Sequence, residues 1–296
     1  MLLRSLLFVP GDSPRKMAKA MESGADGLIL DLEDAVAPDR KQAAREATAE
    51  FIRAARRPDG PRLFVRVNAL DSGLTDADLD VVMAAAPDGL VLPKCAGGQD
   101  VAHLAAKTAV REAEFDLRDG ATAIIPVATE SGASIFGLGS YAGCSRRLAA
   151  LAWGAEDLCA DIGAAANRDG AGLFTGPFRL ARDLLLFGAA AAGVDAIDTV
   201  FTALADEAGL ARECAGAARD GFAGKLAIHP AQIPVINAAF TPAPEAVAEA
   251  QAIVAAFAAD SSLGVINIGG RMVDRPHLRQ AQRLLARAGA TGQASR

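Results

Sequence analysis

The 296-residue chain is poor in the side chains that build soft-metal and redox centres. Its four cysteines (Cys95, Cys144, Cys159, Cys214) and three histidines (His103, His229, His277) are scattered, with no Cys-x-x-Cys pair among them. That scatter argues against a zinc site built from thiolates and imidazoles. It also offers no disulfide framework, so free thiols in a reducing compartment are expected. Positive charge is in deficit too: 30 Lys and Arg face 36 Asp and Glu, a formal net charge of −6, and no basic cluster stands out. Nucleic acid is therefore not an expected partner. No apolar run reaches the ~20 residues that cross a bilayer. The run 2–10 ends at Gly11 and Asp12, and no cleavage-site pattern follows. These features lead to the expectation of a soluble cytoplasmic protein with no membrane partner.

What is present is a large apolar fraction, 51%, in short runs that alternate with alanine-rich helical stretches. Strands are expected over 2–9, 27–32, 62–68, 89–94, 122–129, 148–153, 195–200 and 225–229. Helices are expected over 13–23, 38–57, 75–85, 99–115, 131–141, 176–192 and 203–219. Strands alternating with helices in this way predict an α/β fold, a (β/α)8 TIM barrel. A doubly wound sheet is the alternative, but no Gly-x-Gly-x-x-Gly follows the first strand. Beyond residue 230 the alternation stops. Helices over 235–240, 244–259 and 276–288, with a glycine-containing loop at 261–270, predict a C-terminal helical extension or lid. The expected division is a barrel domain at 1–240 and a helical lid at 241–296.

Barrel enzymes place their chemistry at the C-terminal ends of the strands. Those ends carry Asp31, Glu33, Arg66, Lys94, Glu130, Asp157, Asp198 and His229. Asp31, Glu33 and Asp34 pack three carboxylates at the end of a buried run, which is costly unless cations face them. Asp31 is expected to pair with a lysine such as Lys94. Glu130 and Asp157 end adjacent strands and can reach one point. Hard oxygen ligands without His or Cys select Mg²⁺ or Mn²⁺. The alternative, left open by spacing alone, is that these acids merely sit in the first turns of helices.

Seven stretches carry a resemblance: RSLLFVPGDSPRKMAKA (4–20), DGLILDLEDAVAPDRKQAAR (26–45), VRVNAL (65–70), LPK (92–94), ATESG (128–132), WGAEDLCADIGA (153–164) and KLAIHPAQI (225–233). Together they resemble the citrate lyase beta-subunit-like family of the HpcH/HpaI aldolase superfamily, over essentially the whole chain. The resemblance implies a Mg²⁺-dependent barrel, trimeric or hexameric, acting on CoA or acyl-carrier-protein thioesters of 3-hydroxy acids by retro-Claisen cleavage or its reverse. It implies metal ligation by Glu130 and Asp157, with Glu130 also at the substrate. Arg66 would grip the substrate's carboxylate or keto group. Glu33 and Asp34 would orient the metal's waters. Phe8, Lys19, Ile228 and His229 would line the acyl-CoA site, with Lys19 towards the CoA phosphates. Some relatives carry an arginine where this chain has Ser13, with Arg15 as the nearby charge. The segment 270–274 resembles the family's lid, which closes over a neighbouring subunit, and Asp274 in it would be the catalytic acid–base. Asp274 also precedes Arg275-Pro276 and suits a helix N-cap. Malyl-CoA and citramalyl-CoA are the expected substrates. The alternatives are a citryl-thioester lyase subunit of a citrate lyase complex and a thioesterase or malate-synthase-like enzyme.

Overall fold

The computed structural model describes residues 3–259 and 264–294. Two compact units divide the chain between Asn237 and Ala238.

The first unit is the predicted barrel. Its strands are β1 Ser5–Pro10, β2 Gly27–Asp31, β3 Arg62–Arg66, β4 Gly89–Leu92, β5 Ala123–Pro126, β6 Ala150–Ala152, β7 Asp195–Asp198 and β8 Gly224–Ala227. All eight lie in one sheet of order β5-β4-β3-β2-β1-β8-β7-β6. Each ladder within it is parallel. The sheet closes on itself through isolated parallel bridges, Ile124 to Leu148 and Val127 to Ala152. The helices between strands are α1 Pro14–Ala20, α2 Lys41–Ala55, α3 Thr75–Val82, α4 Gly98–Glu114, α5 Gly132–Gly137, α6 Glu156–Asp161, α7 Gly176–Ala192 and α8 Glu207–Asp220, with α9 Ile233–Phe240 following β8. The six-residue α6 carries Glu156 and Asp157 in its first turn, as the open alternative for Asp157 had it.

Side chains alternate between the barrel interior and the helix layer, as a period of two requires. Leu6, Ile29, Phe64, Val91, Ile125, Val127, Ala150, Ala152, Ile197 and Leu226 form the inner core, with Phe8 packed against it. The same parity sends Asp198, next to the inward Ile197, outward. It is fully buried and does not belong to the strand-end set expected at the mouth. Lys225 Nζ donates to Asp198 Oδ2 and to Glu213 Oε1 of α8, at 2.8 Å each, and Trp153 Nε1 donates to Asp198 Oδ1 at 2.7 Å. A second buried pair ties α4 to the start of β6: Arg147 donates to both Glu112 oxygens, at 2.7 and 2.6 Å.

The second unit holds α10 Pro244–Ala259, β9 Val265–Ile268, β10 Arg271–Asp274 and α11 Arg275–Ala294, with α10 packed along α11. The loop expected at 261–270 is in part a strand. β9 and β10 pair antiparallel, Ile268 opposite Arg271 and Val265 opposite Asp274. Gly269 and Gly270 join them with φ of 58° and 82°. Two successive left-handed residues make the tight turn whose twist matches a hairpin, and glycine adopts them without a Cβ clash. Residues 261–263 of the expected loop lie outside the described residues. Among the described residues, no helix is long and apolar enough to cross a membrane.

Candidate active site

The strand register builds the site. β2 pairs with β3 so that Asp31 stands directly opposite Arg66. Arg66 donates from Nε to Asp31 Oδ1 and from Nη2 to Asp31 Oδ2, each at 2.7 Å. This planar two-point pairing is the geometry only a guanidinium offers a carboxylate. The expected pairing of Asp31 with Lys94 is therefore corrected. Lys94 is one strand further on and donates its Nζ to Glu33 Oε1 instead. Arg66 Nη1 lies 2.9 Å from Glu33 Oε2 and 3.5 Å from Asp34 Oδ2, and its carbon sits 4.9 Å from the Phe8 ring centroid. One guanidinium thus faces all three carboxylates of the Asp31–Asp34 cluster. Lys41 Nζ stabilises the backbone beneath them, donating to the Leu32 and Glu33 carbonyls and to Asn68 Oδ1.

Glu130 follows β5 and is buried. The Lys94 backbone N–H donates to its Oε2. Lys94 adopts φ 51°, in the left-handed region that costs a non-glycine residue about 1–2 kcal/mol. That conformation lets one residue hold Glu130 with its amide and Glu33 with its ammonium. Gly154, after β6, makes room for Glu130: a Cβ there would lie 2.8 Å from Glu130 Cγ and 3.3 Å from Oε1. Burial pushes the Glu130 carboxyl up most strongly, and neighbouring Asp157 and Glu33 add to it. The Lys94 amide and Arg66 only partly offset this, and it rests at about 8. Burial likewise raises Glu33 against the pull of Arg66 and Lys94.

A cavity of about 420 Å³ opens at this end of the barrel. Phe8, Asp34, Arg66, Glu130, Asp157 and Ile228 are all in its wall. Lys19 and His229 are not: Lys19 is exposed on the last turn of α1, and His229 is exposed with Nδ1 accepting from the Ala231 N–H. Asp274 lies in the other unit, at the start of α11.

The donor set can be tested against a dication. Among the described residues no group of three or more His, Cys, Asp or Glu side chains is arranged to hold a metal. A small hard dication needs no such group, because it keeps several waters and takes one or two carboxylates. Asp31, Glu33, Asp34, Glu130 and Asp157 outnumber the cations Arg66, Lys94 and Lys41 near them. Glu33 Oε2 is buried without a hydrogen-bond partner: its 2.9 Å contact with Arg66 Nη1 is ionic and off the N–H line. Surplus negative charge and an unspent buried oxygen both fit a bound dication with its water shell.

Lys94 was expected at the strand ends only as a partner for Asp31, and Lys41 was not singled out from the sequence. The left-handed Lys94 leaves no sequence signal. Lys41 lies ten residues beyond Asp31, at the first position of α2, and its reach to the Leu32 and Glu33 carbonyls is a matter of the connecting loop that the sequence does not announce.

The sequence profile described as HpcH/HpaI aldolase/citrate lyase matches residues 4–230. The citrate lyase subunit beta of Leuconostoc mesenteroides subsp. cremoris is 35% identical over 291 residues, covering 98% of this chain and 94% of that protein. The mitochondrial citramalyl-CoA lyase of Rattus norvegicus is 34% identical over 297 residues, covering 96% and 86%. The crystal structure of the protein CitE from Mycobacterium tuberculosis in complex with magnesium, acetoacetate and coenzyme A superimposes with a TM-score of 0.76 at 33% identity, covering 97% of this chain and 98% of that one. By these matches over nearly its whole length, the chain belongs to the HpcH/HpaI aldolase/citrate lyase family.

Proposed function

We propose that the protein is a Mg²⁺-dependent carbon–carbon lyase acting on an acyl-CoA thioester. Its reaction is cleavage of a 3-hydroxyacyl-CoA, such as malyl-CoA or citramalyl-CoA, to acetyl-CoA and a 2-keto acid. The observation that carries this reading is the convergence of Glu130 and Asp157 with Arg66 on one cavity that holds more carboxylates than cations. Glu130 and Asp157 would hold Mg²⁺ (Mn²⁺ is also suited), and Glu33 and Asp34 would bind its waters. When bound, the ion supplies Lewis acidity to the oxygen on the carbon being cleaved. Arg66, with part of its fork committed to Asp31, presents its remaining N–H groups to the substrate carboxylate. Phe8 and Ile228, in the cavity wall, would meet the acyl arm, His229 beside Ile228 would touch the CoA arm, and Lys19 would face the CoA phosphates. The bond electrons flow to the thioester, whose enolate carbon must take a proton, and Asp274 supplies it. The same residue removes that proton in the condensation direction.

The proposal includes a homo-oligomer, trimeric or hexameric, in which the C-terminal unit serves a neighbouring subunit's barrel. The free thiols support cytoplasmic work. Incubation with malyl-, citramalyl- and citryl-CoA, scored for acetyl-CoA by mass spectrometry, tests the reaction and separates lyase from thioesterase products. EDTA should abolish turnover and Mg²⁺ restore it. Full activity in EDTA, with borohydride trapping substrate on Lys94, would instead establish a Schiff-base aldolase. Exchange of subunits between inactive Arg66→Ala and Asp274→Asn oligomers should restore activity if the lid crosses subunits. No recovery after confirmed exchange would exclude that arrangement.

A further inference from the structure

His277 has no part in the reading above. It stands three residues after Asp274, in the first turn of α11. Its Nδ1 lies 2.5 Å from Asp274 Oδ1, and its backbone N–H faces the same oxygen at 3.4 Å. The second contact is the N-cap expected from the sequence, and it is long. The first is not a capping contact. A bare ring nitrogen and a carboxylate oxygen repel at 2.5 Å, because each presents a lone pair, so a proton lies between them. The Asp274 amide also faces Nδ1, at 3.3 Å, but the much shorter carboxylate contact decides where the Nδ1 proton sits. Both side chains are partly exposed.

We infer that Asp274 and His277 form an acid–base dyad that shares one proton, with His277 as the positioning residue and proton store for Asp274. The inference rests on the acid–base reading of Asp274 given above. Hydrogen bonding to His277 holds the Asp274 carboxyl below the usual carboxylate range. A lone aspartate in that state has no proton to give at neutral pH, yet the enolate of a thioester needs one. The dyad supplies it. In cleavage the dyad starts with one shared proton. The substrate's 3-hydroxyl loses its proton to water as the keto carbonyl forms, the electrons of the broken C–C bond pass to the thioester enolate, and the shared proton leaves through Asp274 for the enolate carbon, where a C–H bond forms. Asp274 carboxylate and neutral His277 remain, and water returns the proton. In condensation the same pair starts without that proton and takes one from the acetyl methyl group.

Among the described residues, α10 and β10 pack against α11 and carry four charged side chains. They are Glu245 and Glu249 of α10, and Arg271 and Asp274 of β10. Arg271 and Glu249 pair with each other at 2.8 Å. On α11 itself, Arg275, Arg279, Arg283 and Arg287 are cationic. Asp274 is the carboxylate within contact of the ring, so the proton held there answers to it.

The test compares wild type, His277→Gln and His277→Ala in the Mg²⁺-loaded enzyme. Wild-type cleavage should lose rate as pH rises through the dyad's titration. In His277→Gln that limb should move acid by about one unit or more, and kcat at neutral pH should fall about tenfold or more with KM little changed. Added imidazole should restore part of the rate of His277→Ala, which a purely structural role would not allow. An unchanged limb and kcat in His277→Gln would overturn the dyad. NMR titration of the His277 ring, in wild type and Asp274→Asn, reads the pairing without turnover. Its Nδ1 nitrogen shift should change in Asp274→Asn as the shared proton loses its carboxylate partner, and identical shifts in both proteins would overturn the inference. Wild type inactive on every thioester would fail the lyase reading alone, and the ring titration would still decide the pairing.

Discussion

Replacing Arg66 with lysine keeps the charge and removes the fork. Arg66 makes two 2.7 Å bonds to Asp31, a 2.9 Å ionic contact to Glu33 and a stacking contact with Phe8. A lysine ammonium reaching Asp31 can keep one bond there and cannot lie flat on the ring. It loses one charge-assisted bond, about 1.5–3 kcal/mol, and the Phe8 contact, about 0.5–1 kcal/mol. It also leaves Glu33 with Lys94 alone. We expect a loss of about 2–4 kcal/mol in kcat/KM, which is roughly 30- to 900-fold. The assay is the initial rate of acetyl-CoA release from malyl- or citramalyl-CoA at saturating Mg²⁺. Urea unfolding should show a stability loss of about 2 kcal/mol from the same contacts. Circular dichroism at assay temperature separates lost fold from lost chemistry. A folded Arg66→Lys variant within a factor of three of wild type would remove Arg66 from the site.

Other perturbations follow from the same contacts. Burial would raise the Glu112 carboxyl, but the Arg147 fork and the Thr122 and Gly120 amides overcome it and hold it at about 2, below its ordinary 4.5. This lowered value makes its contribution to stability complete above about pH 4.5 and progressively lost as pH falls towards 2. Arg147→Met should cost about 3–5 kcal/mol at neutral pH by urea unfolding and flatten that acid dependence, while an unchanged acid limb would refute the pairing. Gly154→Ala places a methyl against Glu130 and should weaken Mg²⁺ binding about tenfold by calorimetry with the fold retained, whereas wild-type affinity would show that Glu130 has room to spare.

The barrel was legible because its strands are short apolar runs bounded by turn residues, and a parallel strand buried on both faces has that appearance. Where the reading erred, the missing information was register or parity. Asp31 could reach a cation on β3 or β4, and the hydrogen-bonded register alone places Arg66 opposite it. Asp198 was counted at the mouth, although its neighbour Ile197 points inward and period two sends Asp198 out. The hairpin at 265–274 was passed over because Gly269-Gly270 reads equally as a flexible loop. Its strands are only four residues each. Glu130, Asp157 and Arg66 were expected at the mouth because each occupies or follows the end of a strand, where topology overrides local sequence, whereas Phe8, inside β1, was named from the resemblance alone. The hold of Lys94 on two carboxylates depends on a left-handed backbone that composition does not announce.

The place where the barrel closes gives the site a mechanical side. Seven neighbouring pairs of strands share regular ladders, whereas β5 meets β6 through two isolated bridges. The amides spanning that seam are those of Ile124, Ala149 and Ala128, bonded to Arg147, Ile124 and Ala152. Glu130 follows one edge of the seam and Asp157 follows the other. Anything that engages both carboxylates therefore stitches the barrel at the joint that lacks a regular ladder. In hydrogen-exchange terms, the seam amides should open ahead of the long ladders elsewhere in the sheet and slow selectively when both acids are engaged. The ends of the two strands at that seam would then act as a latch, with barrel breathing and site occupancy as two readings of one equilibrium.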